Sequence, residues 1–114
     1  MTLTIWHNPR CTKSRQTLAL LEDRGLSPEI RLYLQDAPTM AEIQDALTRS
    51  GLAPIQLMRT GEKLFKELGL TKTSDDNTLV EAMANNPILI ERPLVFANDK
   101  AALGRPPEQV LDIL

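Results

Sequence analysis

The stretch His7-Asn8-Pro9-Arg10-Cys11-Thr12-Lys13-Ser14-Arg15 decides how the chain is read, because it holds the single cysteine and the single histidine of the sequence. Before it, Leu3-Thr4-Ile5-Trp6 alternates apolar and polar residues as a strand does. After it, Leu18, Leu20 and Leu21 fall at helical spacing. Cys11 therefore stands at a strand-to-helix turn. Pro9 cannot continue a strand ladder and disfavours helix at the residue before it, so a helix is expected from about Cys11 to Arg24 with its first amides unpaired. Those amides and the helix dipole favour an anion. A thiolate is such an anion, and a helix N-terminus with nearby cations lowers a cysteine pKa from about 8.5 to roughly 3.5–7.5. Arg10, Lys13 and Arg15 supply the cations. A cysteine that is only a small buried hydrophobe needs no cationic, turn-forming surroundings, and this one has both. His7 gains its interest from the short spacing to Cys11, which lets it tune the thiol or hydrogen-bond nearby backbone.

The whole chain sets the bounds. Its 114 residues suit one domain with a single core, and one cysteine cannot close an intrachain disulfide. With 42% hydrophobic and 25% charged residues the composition is that of a globular protein. No apolar run approaches the ~20 residues that span a bilayer. The first residues carry no basic region followed by an apolar stretch, so no signal peptide is read and a cytoplasmic location is expected, with no membrane partner. A net charge of −2 argues against nucleic acid as a partner. One cysteine and one histidine make no metal site. A phosphatase loop of the Cys-x5-Arg kind would require arginine at position 17, where the chain has Thr17.

Outward from the opening stretch, Gly25 suits a left-handed cap on the first helix. Glu29-Ile30-Arg31-Leu32-Tyr33-Leu34 alternates with period two, giving one apolar and one polar face near a sheet edge. Strand, helix and strand make a βαβ unit. A helical middle follows. Thr39-Met40-Ala41-Glu42 reads as a capping box ahead of a helix with Ile43, Ala46 and Leu47 as its buried stripe and Gly51 at its end. Pro54 starts a short helix that delivers Arg59. Another carries Leu64, Phe65 and Leu68 before Gly69, and a last one carries Leu79, Val80 and Met83 as far as Asn85-Asn86-Pro87. Pro93 belongs at the first residue of a strand running to Phe96. Asn98-Asp99-Lys100 turns into an edge strand ending at Gly104. Pro106-Pro107-Glu108 opens a final helix expected to pack Val110, Leu111 and Leu114 on the sheet.

His7-Asn8-Pro9, Cys11 and Ser14-Arg15, followed by a leucine-rich helix, together resemble the active-site segment of the glutaredoxin-dependent arsenate reductase (ArsC) family, which is related to the Spx regulators. Leu57-Met58-Arg59, the run from Asn86 to Val95 and the run from Gly104 to Leu114 match the family in the same order, so the resemblance is essentially end to end. It implies an α/β fold of the thioredoxin/glutaredoxin kind: a mixed four-stranded sheet flanked by helices. Residues 1–114 would form a single domain with a helical insertion at about 39–86. It also places Pro93 at the position of a structural cis-proline that lets Arg92 turn toward Cys11.

The resemblance assigns roles residue by residue. Cys11 is the catalytic thiolate, and Arg59, Arg92 and Arg105 bind the substrate oxyanion. Forked, permanently charged donors suit a tetrahedral oxyanion such as arsenate, and their charge also stabilises a thiolate. His7, Ser14 and Arg15 would stabilise the thiolate. The Ser14 hydroxyl either bonds thiolate or oxyanion, or stabilises the helix start. The implied reaction begins with Cys11 attacking arsenate to form a covalent thiol–arsenate intermediate, which glutathione then reduces to arsenite while glutaredoxin resolves the glutathione adduct. No cofactor is bound, glutathione is a co-substrate, and the external thiols are needed because the chain has no resolving cysteine. Two alternatives remain open. One is a glutathione-linked monothiol oxidoreductase with another substrate. The other is a non-catalytic, Spx-like regulatory binding protein, although Ser14 removes the second sulfur of a Cys-x-x-Cys sensor.

Overall fold

The computed structural model describes residues 2–114. The chain forms two compact units, Met1–Asp36 with Arg92–Leu114, and the intervening Ala37–Glu91.

The first unit contains the sheet. Strands β1 (Leu3–Trp6), β2 (Glu29–Arg31), β3 (Leu94–Ala97) and β4 (Lys100–Leu103) lie in the order β2-β1-β3-β4. β1 runs parallel to β2, pairing Ile5 with Ile30, and antiparallel to β3, pairing Ile5 with Val95. β3 and β4 form a hairpin whose turn places Asn98 at φ 57°, a conformation asparagine tolerates better than most residues. The sheet is mixed, as expected. Helix α1 (Thr12–Asp23) and a 3-10 helix, Pro107–Ile113, pack with it. Leu3 and Ile5 of β1, Val95 and Ala97 of β3, Leu21 of α1 and Val110 of the 3-10 helix make one buried cluster, with Leu18, Leu20, Leu26 and Ile113 partly buried against it. Leu21 thus anchors the helix that begins at Cys11, and truncating such a residue to alanine costs about 2–5 kcal/mol. Trp6, Leu94 and Phe96 take the other face of the strands. The Trp6 and Phe96 rings lie 5.0 Å apart at 54°, and the Arg31 guanidinium sits 5.7 Å from the Trp6 ring centre.

The second unit is helical. α2 (Met40–Ser50) begins with the capping box: the Glu42 amide donates to Thr39 Oγ1 and the Thr39 amide to Glu42 Oε1. It ends at Gly51, whose φ of 71° is the left-handed cap expected there. A 3-10 helix, Pro54–Leu57, follows, then α3 (Lys63–Glu67), α4 (Asp76–Asn85) and a 3-10 turn, Pro87–Leu89. Asp75 caps α4 through the amides of Asn77 and Thr78. Ile43, Leu57, Leu79, Met83, Leu89 and Ile90 are buried.

The structure corrects three local expectations. β2 stops at Arg31 instead of continuing to Leu34, because the Leu32 carbonyl accepts the amides of Gln35 and Asp36 and curls the chain. Arg31 clasps that curl through Asp36, so Tyr33 is buried while Ile30, Leu32 and Leu34 are exposed. Leu68 is exposed as well, since α3 ends one residue earlier. At the C-terminus the helix is 3-10 throughout, and its tighter turn presents Ile113 to the core and leaves Leu114 exposed.

Candidate active site

Cys11 is the N-cap of α1, in extended conformation at φ −93° and ψ 124°. The helix starts there because the Arg15 amide donates to the Cys11 carbonyl at 3.0 Å, while the Cys11 amide is spent on the Asn8 carbonyl at 3.0 Å. No hydroxyl or carboxylate caps α1. The sulfur stands where such a cap would, and it is only 8% exposed. Burial pushes the Cys11 thiol up, but it is outweighed by the amide of Ser14, the charge of Arg92, the amide of Lys13 and a hydrogen bond from Arg92, so the thiol titrates below its ordinary value. The main chain of the first helical turn and one arginine therefore favour the thiolate.

The loop before the helix is held by its own side chains. Asn8 Oδ1 accepts the Arg10 amide at 3.0 Å, the local turn that Asn favours. The Ser14 side chain, fully buried, reaches back across the loop: its Oγ accepts the Asn8 amide at 3.0 Å and lies 2.7 Å from His7 Nδ1. His7 is 6% exposed, and its own amide donates to the Arg31 carbonyl at 2.8 Å. Burial and the charge of Arg15 lower the His7 pKa, with Glu22 opposing them. The ring is thus neutral near pH 7, and since Ser14 Oγ already accepts from Asn8, its hydroxyl proton is available to donate to Nδ1. Arg15 donates through Nη1 to the Pro9 carbonyl at 2.9 Å and through Nη2 to Thr12 Oγ1 at 3.2 Å.

Arg92, whose charge and hydrogen bond act on Cys11, is joined by Arg105. Arg105 Nη1 donates to the Arg92 carbonyl at 3.1 Å. The Arg92–Pro93 bond is cis, as is Arg105–Pro106. Arg59 belongs to the second unit, where its amide donates to the Leu89 carbonyl and its Nη1 lies 3.2 Å from Glu62 Oε2.

A model of the ArsC family matches residues 6–113. The chain belongs to the ArsC family. The chain is 46% identical over 114 residues to a protein named arsenate reductase from Neisseria meningitidis, covering 98% of this chain and 97% of that one. It is 50% identical over 112 residues to the uncharacterized protein YfgD of Escherichia coli K12, covering 96% and 94%. Among solved structures, arsenate reductase from Vibrio cholerae superposes with a TM-score of 0.95 at 47% identity, over 100% of this chain and 98% of that chain. The sheet and its helices are accordingly of the thioredoxin-like ArsC kind.

Within this ArsC chain, the motif residues His7, Cys11 and Ser14 converge on one loop, and Arg92 joins them from the start of the β3 segment. Two supporting positions had no reading of their own. Asn8 holds the loop by three bonds, a role an Asn-Pro turn can signal in sequence. Thr17 is fully buried, its hydroxyl donating to the Lys13 carbonyl at 2.8 Å, and its place beside Pro93 and Gly104 has no sequence signal. Among the described residues, no cluster of side chains could hold a metal ion and no helix is long and apolar enough to cross a membrane.

Proposed function

We propose that the chain reduces arsenate to arsenite with external thiols, Cys11 being the nucleophile. The observation that carries this reading is the acidified sulfur of Cys11 beside Arg92, reached by the amides of Lys13 and Ser14. Two relatives whose names state the activity, from Neisseria meningitidis and Vibrio cholerae, support it. The Cys11 thiolate attacks arsenic, an arsenic-bound oxygen leaves as water, and a covalent thiol–arsenate ester remains. Reduction of As(V) to As(III) needs two electrons, which two sulfurs supply by joining as a disulfide. Cys11 is the chain's single cysteine, so glutathione provides the other sulfur and glutaredoxin resolves the glutathione adduct. Arg92 and Arg105 hold the oxyanion by forked charged bonds. The same task falls to Arg59 on the family resemblance alone. His7, Ser14 and Arg15 keep the loop in the form that favours the thiolate. In this reading residues 1–114 work as one domain, the helical unit 37–91 being an insertion, in a cytoplasm that keeps Cys11 reduced.

The test is arsenate-dependent NADPH oxidation with glutathione, glutathione reductase and glutaredoxin. Turnover by the wild type and none by Cys11→Ser is the expected result. Arsenate-independent exchange of glutathione disulfides would favour the monothiol oxidoreductase. Equal arsenate reduction by both proteins would refute the nucleophile.

A further inference from the structure

Gly104 occupies a place where no side chain fits. A Cβ built on it would collide with Thr17 Oγ1 and would lie 2.8 Å from Pro93 Cγ and 3.0 Å from Thr17 Cγ2. Carbon atoms in good contact stand about 3.5–4.0 Å apart. At Gly25, Gly51, Gly61 and Gly69 the same added atom would meet nothing within 4 Å. Nor does Gly104 serve for backbone freedom, since the glycines at positive φ are Gly25, Gly51 and Gly69. Position 104 uses the missing side chain itself.

The two walls it touches are fixed. Thr17, in the second turn of α1, is fully buried and tied to the Lys13 carbonyl. Pro93 is tied to Gly104, whose amide donates to the Pro93 carbonyl at 3.0 Å, and the next residue, Arg105, donates to the Arg92 carbonyl. One wall thus carries the first turn of α1, with Cys11 and the amides of Lys13 and Ser14. The other carries Arg92.

We infer that Gly104 is a positioning residue, the spacer that sets how closely the first turns of α1 approach Arg92 and Pro93. The atoms nearest to its missing side chain belong to Thr17 and Pro93. Its effect passes through Thr17 to the helix and through Pro93 to Arg92, the two groups of donors that meet at Cys11. A methyl group at 104 must part them by roughly half an ångström or more to reach ordinary contact distances. Both the charge of Arg92 and its hydrogen bond then act on the sulfur from farther away. The inference rests on Cys11 being the working thiolate, but not on arsenate being its substrate.

Iodoacetamide alkylation of Cys11 against pH tests it, without arsenate or glutathione, in the full chain. For Gly104→Ala, with a wild-type circular dichroism spectrum, the midpoint should move to higher pH and the rate at pH 6.5 should fall roughly fivefold as the thiolate fraction shrinks. Thr17→Ala, which clears two of the three contacts, should keep the wild-type profile alone and restore most of it in Gly104→Ala/Thr17→Ala. A lesion that merely loosened the fold would not be rescued by a second truncation. A wild-type profile in Gly104→Ala, or a double variant as slow as the single one, overturns the inference. Should Gly104→Ala not fold, the double variant decides: a profile close to wild type supports the spacer, and one displaced by the full amount expected of Gly104→Ala refutes it. A wild-type thiol titrating near the ordinary value of about 8.5 would overturn both this inference and the reading of the site. An acidic thiol without arsenate reduction would remove the substrate alone and leave the spacer standing.

Discussion

Replacing Ser14 by alanine separates the two tasks that meet at this residue. Its amide serves the Cys11 sulfur and survives the substitution; its hydroxyl serves the loop and does not. The fully buried Oγ satisfies the Asn8 amide and pairs with His7 Nδ1, so removing it strands two polar groups. Leaving a buried polar group without its partner costs about 1–3 kcal/mol. Asn8 is half-buried and recovers part of that from water, and alanine is the better helix former by up to ~0.5 kcal/mol. The expected net destabilisation is therefore about 1.5–3.5 kcal/mol. Urea unfolding at pH 7 with the thiol kept reduced would read it as a lower midpoint at unchanged slope. The alkylation profile of Cys11 should move less than it does in Arg92→Ala. A loss below about 0.5 kcal/mol, together with a profile displaced as far as that of Arg92→Ala, would refute the reasoning and give the hydroxyl to the sulfur.

Cys11→Ser should abolish arsenate reduction in the coupled NADPH assay, because a serine hydroxyl does not ionise near neutral pH, while the unfolding midpoint stays close to wild type. Arg92→Ala should raise both the pH at which Cys11 alkylates and the KM for arsenate, since Arg92 acts directly on the sulfur. Arg105→Ala should raise the KM with a smaller effect on the thiol, since Arg105 donates to the Arg92 carbonyl; steady-state kinetics and alkylation on the same samples distinguish the two. His7, held below its ordinary pKa of 6.5, resists the proton that the unfolded chain accepts. The unfolded state therefore binds more protons, and His7's contribution to stability is complete above about pH 6.5 and lost as pH falls below it. Urea midpoints between pH 5 and 7.5 should rise with pH in the wild type and flatten in His7→Asn.

The elements legible in the sequence are those with a local cause. The Thr39–Glu42 box, the left-handed caps at Gly25 and Gly51 and the strand-to-helix turn at Cys11 each follow from a few neighbouring residues, and each is present. The alternation from Glu29 to Leu34 misled beyond Arg31, because the curl at Leu32 is made by the Gln35 and Asp36 amides and clasped by Arg31 through Asp36, and Asp36 lies outside the pattern. In the site, the residue types were legible and their partners were not. Periodicity places Ser14 in the first turn of a helix; it does not say that the hydroxyl turns back to His7 and Asn8 while the amide meets the sulfur. Gly104 carries no local signal at all, since its neighbours in space, Thr17 and Pro93, come from two distant segments.

The chemistry of Cys11 follows from where its charge is compensated. A thiolate held chiefly by side chains would be exposed to every substitution around it. Here two of the four favourable contributions come from main-chain amides, which any residue at positions 13 and 14 other than proline can supply. The side chain of Ser14 is thereby released for the loop, and it spends its hydroxyl on His7 and Asn8. A sulfur at that position would be a poorer acceptor for the Asn8 amide, so the loop that presents Cys11 favours oxygen where a dithiol enzyme would carry its resolving group. The proposed dependence on glutathione and glutaredoxin is then the chemical counterpart of that choice: Ser14 holds the loop that carries Cys11, and under that proposal the second sulfur arrives from another molecule.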